Sequence, residues 1–163
     1  MTRRILAFAD PERFVAGTVG LPGERTFYLQ AQAGDSIASV SLEKSQVAIL
    51  ADRLDELLAE LSRRGLAVVQ DSTEGDDVDP LSMPLEEEFR AGALGLGWDE
   101  TDQFIIVEAH ALDAEREPAD VGDDDPEAPD TMRVHLAPGR APGFIRRARA
   151  LVAAGRPPCP FRS

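Results

Sequence analysis

Proton transfer near neutral pH needs a side chain that titrates there, and the chain offers two, His110 and His135. His110 stands two residues after Glu108, and His135 two residues after Arg133. Either pair becomes an acid–base couple only where the fold brings the side chains together. Strand alternation turns His135, between Val134 and Leu136, away from the core side. The single cysteine, Cys159, sits among prolines in Pro157-Pro158-Cys159-Pro160. It excludes a disulfide within the chain, and no spacing supplies the partner base that a nucleophilic thiol requires. Gly-x-Ser-x-Gly, a glycine-rich phosphate loop ending in Lys, and His-Glu-x-x-His are all missing from the sequence. Gly92–Gly97 is rich in glycine, but it lies in a hairpin pattern rather than a strand-to-helix turn. The residues assign no catalytic group. The enzymatic alternative is a pocket between two halves of the chain that uses Glu108, His110 or His135.

Charge is the second chemical signal. The formal net charge of −13 is concentrated in two stretches. Residues 71–88 hold eight acids and no base, and residues 113–130 hold nine acids and one base, Arg116. Both lack apolar periodicity and carry Gly or Pro, so they read as solvated, mobile connectors. Asp123-Asp124-Asp125 has oxygens for a hard cation but lacks the alternating acids and distal Glu of a calcium loop. No metal site is assigned. The basic counterpart runs from Arg140 to Ser163, with six Arg and no acids. Arg146, Arg147 and Arg149 form its outward face, the one concentrated basic surface and the candidate for partner contact. Attraction to the chain's own acidic segments is the plainer reading of the same residues. Nucleic-acid binding is the weaker alternative, because overall acidity opposes phosphate neutralisation.

Positioning these groups falls to a pattern that occurs twice. Arg13–Gly20, Arg25–Ala31 and Ser36–Leu42 read as three strands, followed by a helix with Val47, Leu50, Leu54, Leu57, Leu58 and Leu61 on one stripe. Phe89–Leu96, Gln103–Ala109 and Thr131–Leu136 repeat the strands around a turn at Gly97-Trp98-Asp99-Glu100. A second helix over Pro142–Ala154 places Ile145, Ala148, Leu151 and Val152 inward. Further strands are expected at Arg4–Phe8 and at Leu66–Gln70. The expected fold is α+β: two β-β-β-α repeats with antiparallel sheets, helices packed on them and one pseudo-symmetric core. The units span 1–70 and 89–156, joined by the connector 71–88 and ending in a tail at 157–163. At 163 residues with 43% apolar content, the chain is long enough for such a core. With no apolar run of membrane-spanning length and no signal peptide, it is expected to be soluble and cytoplasmic.

Several segments, in order, resemble one family. They are Arg4-Ile5-Leu6-Ala7-Phe8, Asp10-Pro11-Glu12-Arg13-Phe14-Val15-Ala16-Gly17, Arg25–Ala31, Ser41–Val47, and Phe89-Arg90-Ala91-Gly92 with Gly97-Trp98. Together they are similar to an actinobacterial family of uncharacterised-domain proteins that includes ParJ. The resemblance implies a non-enzymatic regulator whose protein partner is ParA, the ATPase of chromosome partitioning. It also implies a zinc knuckle, because similar chains continue past the Cys159 region into Cys-x-x-Cys, a His and a further Cys. Here Phe161-Arg162-Ser163 follow instead, so Cys159 is a remnant of that motif and no cofactor is expected.

Overall fold

The computed structural model of the chain describes residues 4–21, 23–66, 72–112 and 129–154. Its elements are β1 (Ile5–Ala9), β2 (Arg13–Val19), β3 (Thr26–Ala33), β4 (Ser36–Leu42) and α1 (Lys44–Arg63), then β5 (Glu87–Asp99), β6 (Phe104–Ala111), β7 (Thr131–Leu136) and α2 (Ala141–Ala154). A single 3-10 turn, Pro138–Arg140, leads into α2. The class is α+β. The expected strand at Leu66–Gln70, the tail at 157–163 and residues 113–128 of the second acidic stretch fall outside the described residues, except for Leu66.

All seven strands join one sheet, in the order β1-β7-β6-β5-β4-β3-β2. β2–β3, β3–β4, β5–β6 and β6–β7, each pair joined without an intervening helix, run antiparallel. The expectation of antiparallel sheets misses the two joints. β4 runs parallel to β5, and β1 runs parallel to β7. The reason lies in the connections, since α1 separates β4 from β5 and returns the chain to the same end of the sheet.

This order imposes a shape. β1 and β2 form opposite edges, yet only Asp10, Pro11 and Glu12 separate them in sequence. Such a link reaches about 15 Å at most. Seven strands laid flat would span about 29 Å from edge to edge. The sheet therefore curls, and its inner face encloses the helices. One apolar cluster contains Phe8, Phe14, Leu29, Val40, Ala91, Val107 and Val134, one from each strand, together with Leu54, Leu58, Phe144 and Ile145 from the helices. Phe14 and Phe144 stack with ring centroids 4.8 Å apart and nearly parallel planes.

The helix α1 forms where its stripe predicts. Val47, Leu50, Leu54, Leu58 and Leu61 are buried, whereas Leu57 is only half-buried and lies at the rim of a groove. Gln46 stabilises both its start and its neighbour. Its Oε1 accepts from the Glu43 N–H at 2.6 Å, and its Nε2 donates to the carbonyls of Ala91 and Gly92, where the β5–β6 pairing shifts register. At the other end Gly65 adopts φ +82°, and Leu66 N–H donates to Leu61 O at 3.0 Å. That is the left-handed glycine stop expected from the sequence.

Leu54 has no exposed surface, so Leu54→Ala should destabilise the protein by about 2–5 kcal/mol. Leu57→Ala should cost clearly less, because part of that side chain already meets solvent. Urea unfolding of the two variants checks the pair, and equal losses would contradict the stripe.

Candidate functional site

Strand alternation divides the sheet's chemistry between two faces. Residues 105, 107, 109, 132, 134 and 136 point inward, so Glu108, His110, Thr131, Arg133 and His135 share the outer face. Register places Glu108 opposite Arg133 and His110 opposite Thr131. The sequence pair is thus brought together. His110 Nε2 lies 3.4 Å from Glu108 Oε1, and its Nδ1 lies 2.9 Å from Thr131 Oγ1. The Thr131 hydroxyl donates to the Pro129 carbonyl, and the Arg133 Nε–H donates to Glu108 Oε2. Glu108 and His110 are essentially fully buried. A buried carboxylate costs several kcal/mol in desolvation unless it is paired, and Arg133 supplies the pairing. His135 stands further along the same face, half-exposed, with its ring edge-on to Phe104.

All three arginines of α2 make contacts within the chain, and Arg146 and Arg149 stay exposed while they do so. Arg146 donates to Asp76 and to the Ser72 carbonyl, at 2.5 and 2.6 Å. Arg149 reaches Asp52 and Asp55 on α1, at 3.0 and 3.3 Å, and Asp52 in particular strengthens its hold on its proton. Arg147, expected on the outward face, is largely buried instead. Its Nε donates to Ala16 O on the edge strand β2, and its Nη1 to Asp77 O, both at 2.7 Å. The periodicity places it at the flank of the buried stripe, where the curled β2 edge meets the helix. A carbonyl on an exposed edge is a pairing liability, and Arg147 covers it.

The acids that meet these arginines belong to the first expected connector. Residues 72–84 form a strap that begins against α2 and crosses the β2 edge to the outer face of β2–β4. At its start, the backbones of Gly75 and Gly143 touch, and a Cβ on Gly143 would lie 2.3 Å from the Gly75 carbonyl carbon. Asp77 then takes a two-point contact from Arg13, at 2.6 and 3.0 Å. The Arg13 guanidinium holds the Asp77 carboxyl below its ordinary pKa, against the opposing effect of burial. Leu81 is buried over Gly17, where any Cβ would come within 2.5 Å of its side chain. Gln30 accepts from Ser82 N–H at 2.7 Å and donates to Ser82 O at 3.1 Å. Asp76 and Asp77 act here as counterions for Arg13, Arg146 and Arg147; Asp77 is largely covered, whereas Asp76 stays exposed to solvent.

A third feature lies on the helix side. A groove of about 730 Å³ runs between α1 and the end of β5. Leu94, Leu96 and Trp98 provide its floor, Ile49 and Leu57 its helical wall, and Arg53, Glu56, Glu60 and Arg63 its rim. Ile49 is 55% exposed. The rim pairs internally, Arg63 with Glu60 at 2.6 Å and Arg53 with Glu56 at 3.7 Å. Sequence reading placed Trp98 in a turn, but β5 continues through Asp99 and carries it on the inner face. The alternation Leu94-Gly95-Leu96-Gly97-Trp98 was the available signal, hidden by its glycines. Arg13, Gln30 and Ser82 were missed for a different reason: their partners lie 52 to 69 residues away.

Chain-level comparison adds one relation. A family model described as Protein of unknown function (DUF3090) matches residues 6–163. No curated protein and no solved structure matches the chain. Among the described residues, no helix is long and apolar enough to cross a membrane.

Asp77 generates a pH prediction. Its folded pKa lies below the unfolded value near 3.8, so its stabilisation is complete above that value and is lost as pH falls through the lower one. Asp77→Asn should therefore lower stability by about 1–3 kcal/mol at neutral pH, with the gap from the parent closing in stronger acid. Denaturant unfolding across that range checks it, and a gap independent of pH would contradict the assignment.

Proposed function

The chain belongs to the DUF3090 family of proteins of unknown function, and from that premise we propose that it is a non-enzymatic interaction protein. The observation that carries this reading is the groove between α1 and β5. A tryptophan on a strand, flanked by half-buried leucines and an exposed isoleucine, is the composition that dominates binding energy at protein interfaces. Its rim charges are already paired, so they shape the contact and tune its rate rather than its depth. The occupant we assign is an apolar segment of a protein partner.

The sequence resemblance to the family that includes ParJ supports a candidate for that partner, a ParA-type partitioning ATPase whose assembly this protein would modulate in the cytoplasm. The same reading takes β2-β3-β4-α1 and β5-β6-β7-α2 as two copies of one ancestral unit, supported by their identical order of elements. Arg146, Arg147 and Arg149 move from the contact itself to its support, because each already serves an internal acid or carbonyl. The nucleic-acid alternative would use the same exposed Arg146 and Arg149, against the overall acidity of the chain.

Binding of the purified chain to a ParA-type ATPase, with and without ATP, tests the proposal. Trp98→Ala should weaken binding by about thirtyfold or more, the scale of an interface anchor, in a variant that unfolds earlier but still cooperatively, since Trp98 also packs against the core. Arg149→Ala should chiefly alter the salt dependence of association. Binding that survives loss of Trp98 but vanishes with Arg146 and Arg149 would return the contact to α2. Salt-sensitive binding of duplex or single-stranded oligonucleotides would overturn the reading.

A further inference from the structure

The strap is seated on the sheet in the manner of a bound peptide. Arg13 meets Asp77 with a planar fork, the geometry that selects a carboxylate over other acceptors. The same guanidinium reaches the Asp79 carbonyl at 2.7 Å and the Ser82 hydroxyl at 3.1 Å. Gln30 reads the backbone at Ser82 in both directions, and Gln32 accepts from the Ser82 hydroxyl at 2.7 Å. Four residues beyond Asp77, Leu81 fills the slot that Gly17 leaves open. Between these anchors Val78 stands 97% exposed, and beyond them Met83 is 63% exposed. Receptor and seated segment thus divide cleanly, with the receptor contributed by β2, β3 and α2.

We propose that the outer face of β2 and β3, together with Arg147 of α2, is a binding site for an extended acidic peptide, occupied in cis by residues 76–82. The ligand it takes presents an Asp carboxylate to Arg13 and Arg147, and a leucine four residues later to the slot at Gly17. The recognition elements are a two-point cation, a backbone-reading amide and one apolar pocket. They would serve a partner's segment of the same chemistry equally well. The strap then acts as a resident competitor. Its tether supplies an effective concentration on the order of millimolar, so a free ligand succeeds only where the strap is loosened. The strap is suited to loosening, because one leucine is its main apolar anchor and its other attachments are ionic or polar. Salt weakens the exposed Arg146–Asp76 pair most and the partly buried contacts of Asp77 less, and leaves the apolar cluster on the inner face alone. This site lies on the opposite face of the sheet from the α1–β5 groove and stands independently of it.

The test uses the full chain and a fluorescent peptide of its own residues 74–84. The variant Asp77→Asn with Leu81→Ala alters only the seated segment and leaves the receptor whole. By fluorescence anisotropy it should bind the peptide at least about tenfold more tightly than the parent does, with affinity falling as salt rises. A peptide carrying the same two substitutions should not bind. A folded variant that binds neither peptide, or both equally, would overturn the proposal. Should the variant fail to fold, hydrogen exchange on the parent decides instead. Amides of 76–82 should lose protection between about 0.05 and 0.5 M salt while β3 and β4 keep theirs. Protection of the strap that ignores salt would overturn the proposal as well.

Discussion

The short link from β1 to β2 governs the rest of the molecule. Three residues join the two edges of a seven-stranded sheet, so the sheet must curl and the seam between its edges must be closed by other means. Arg140 closes it at one end by donating to the carbonyls of Pro11 and Glu12, while Asp10 N–H donates to His135 O. Asp10 adopts φ +51°, a left-handed turn that Asp tolerates better than most residues. With the seam fixed there, α2 follows directly from Arg140 and is delivered against β2. The stack of Phe14 on Phe144, the cover that Arg147 gives to Ala16 O and the contact of Gly75 with Gly143 all depend on that delivery.

A second consequence is the division of labour between the two sheet faces. The inner face is mainly apolar and closes around two helices. The outer face carries Gln30, Ser39, Ser41, Glu108, His110 and Thr131, all buried despite their polarity. Polar groups withdrawn from water need partners, and the outer face finds them in specific pairs. Gln30 bonds Ser39 at 3.0 Å as well as the strap, and Glu108 is held by Arg133. Among the described residues, Ser41 Oγ finds no hydrogen-bond partner. Such a face specifies its cover more narrowly than an apolar one, because an ill-fitting cover leaves donors and acceptors unsatisfied.

Local elements were legible in the sequence because local rules govern them. The leucine stripe, the Gly65 stop and the strands Ser36–Leu42 and Thr131–Leu136 each follow from periodicity or a terminal signal. Pairing between distant strands was not legible. Nothing in residues 36–42 or 87–99 announces that β4 and β5 run side by side in parallel, since that choice is made by the crossover through α1. The bulge in β5 shows the same limit. The inward set passes from Phe89 and Ala91 to Leu94, Leu96 and Trp98, and that shift of phase obscures the alternation. The candidate sites were legible only as compositions. Basic and acidic segments stood out, and their mutual attraction was one of two readings. The choice between them rests on Asp77, which meets both Arg13 and Arg147 only after the chain has curled.

That meeting explains why so acidic a chain concentrates its bases where it does. Ion pairs at a surface add little stability singly, so the arrangement is poor evidence for strength. Its value lies in specificity. Arg13 and Arg147 are both close to Asp77, and leaving them together without it would set two partly buried cations side by side, which raises the energy of any arrangement lacking the strap. Arg147 already pays in desolvation, since burial shifts its pKa downward and Asp77 opposes that shift. The apolar core would tolerate several ways of draping residues 72–84 over the β2 edge. The carboxylate between two guanidiniums admits one.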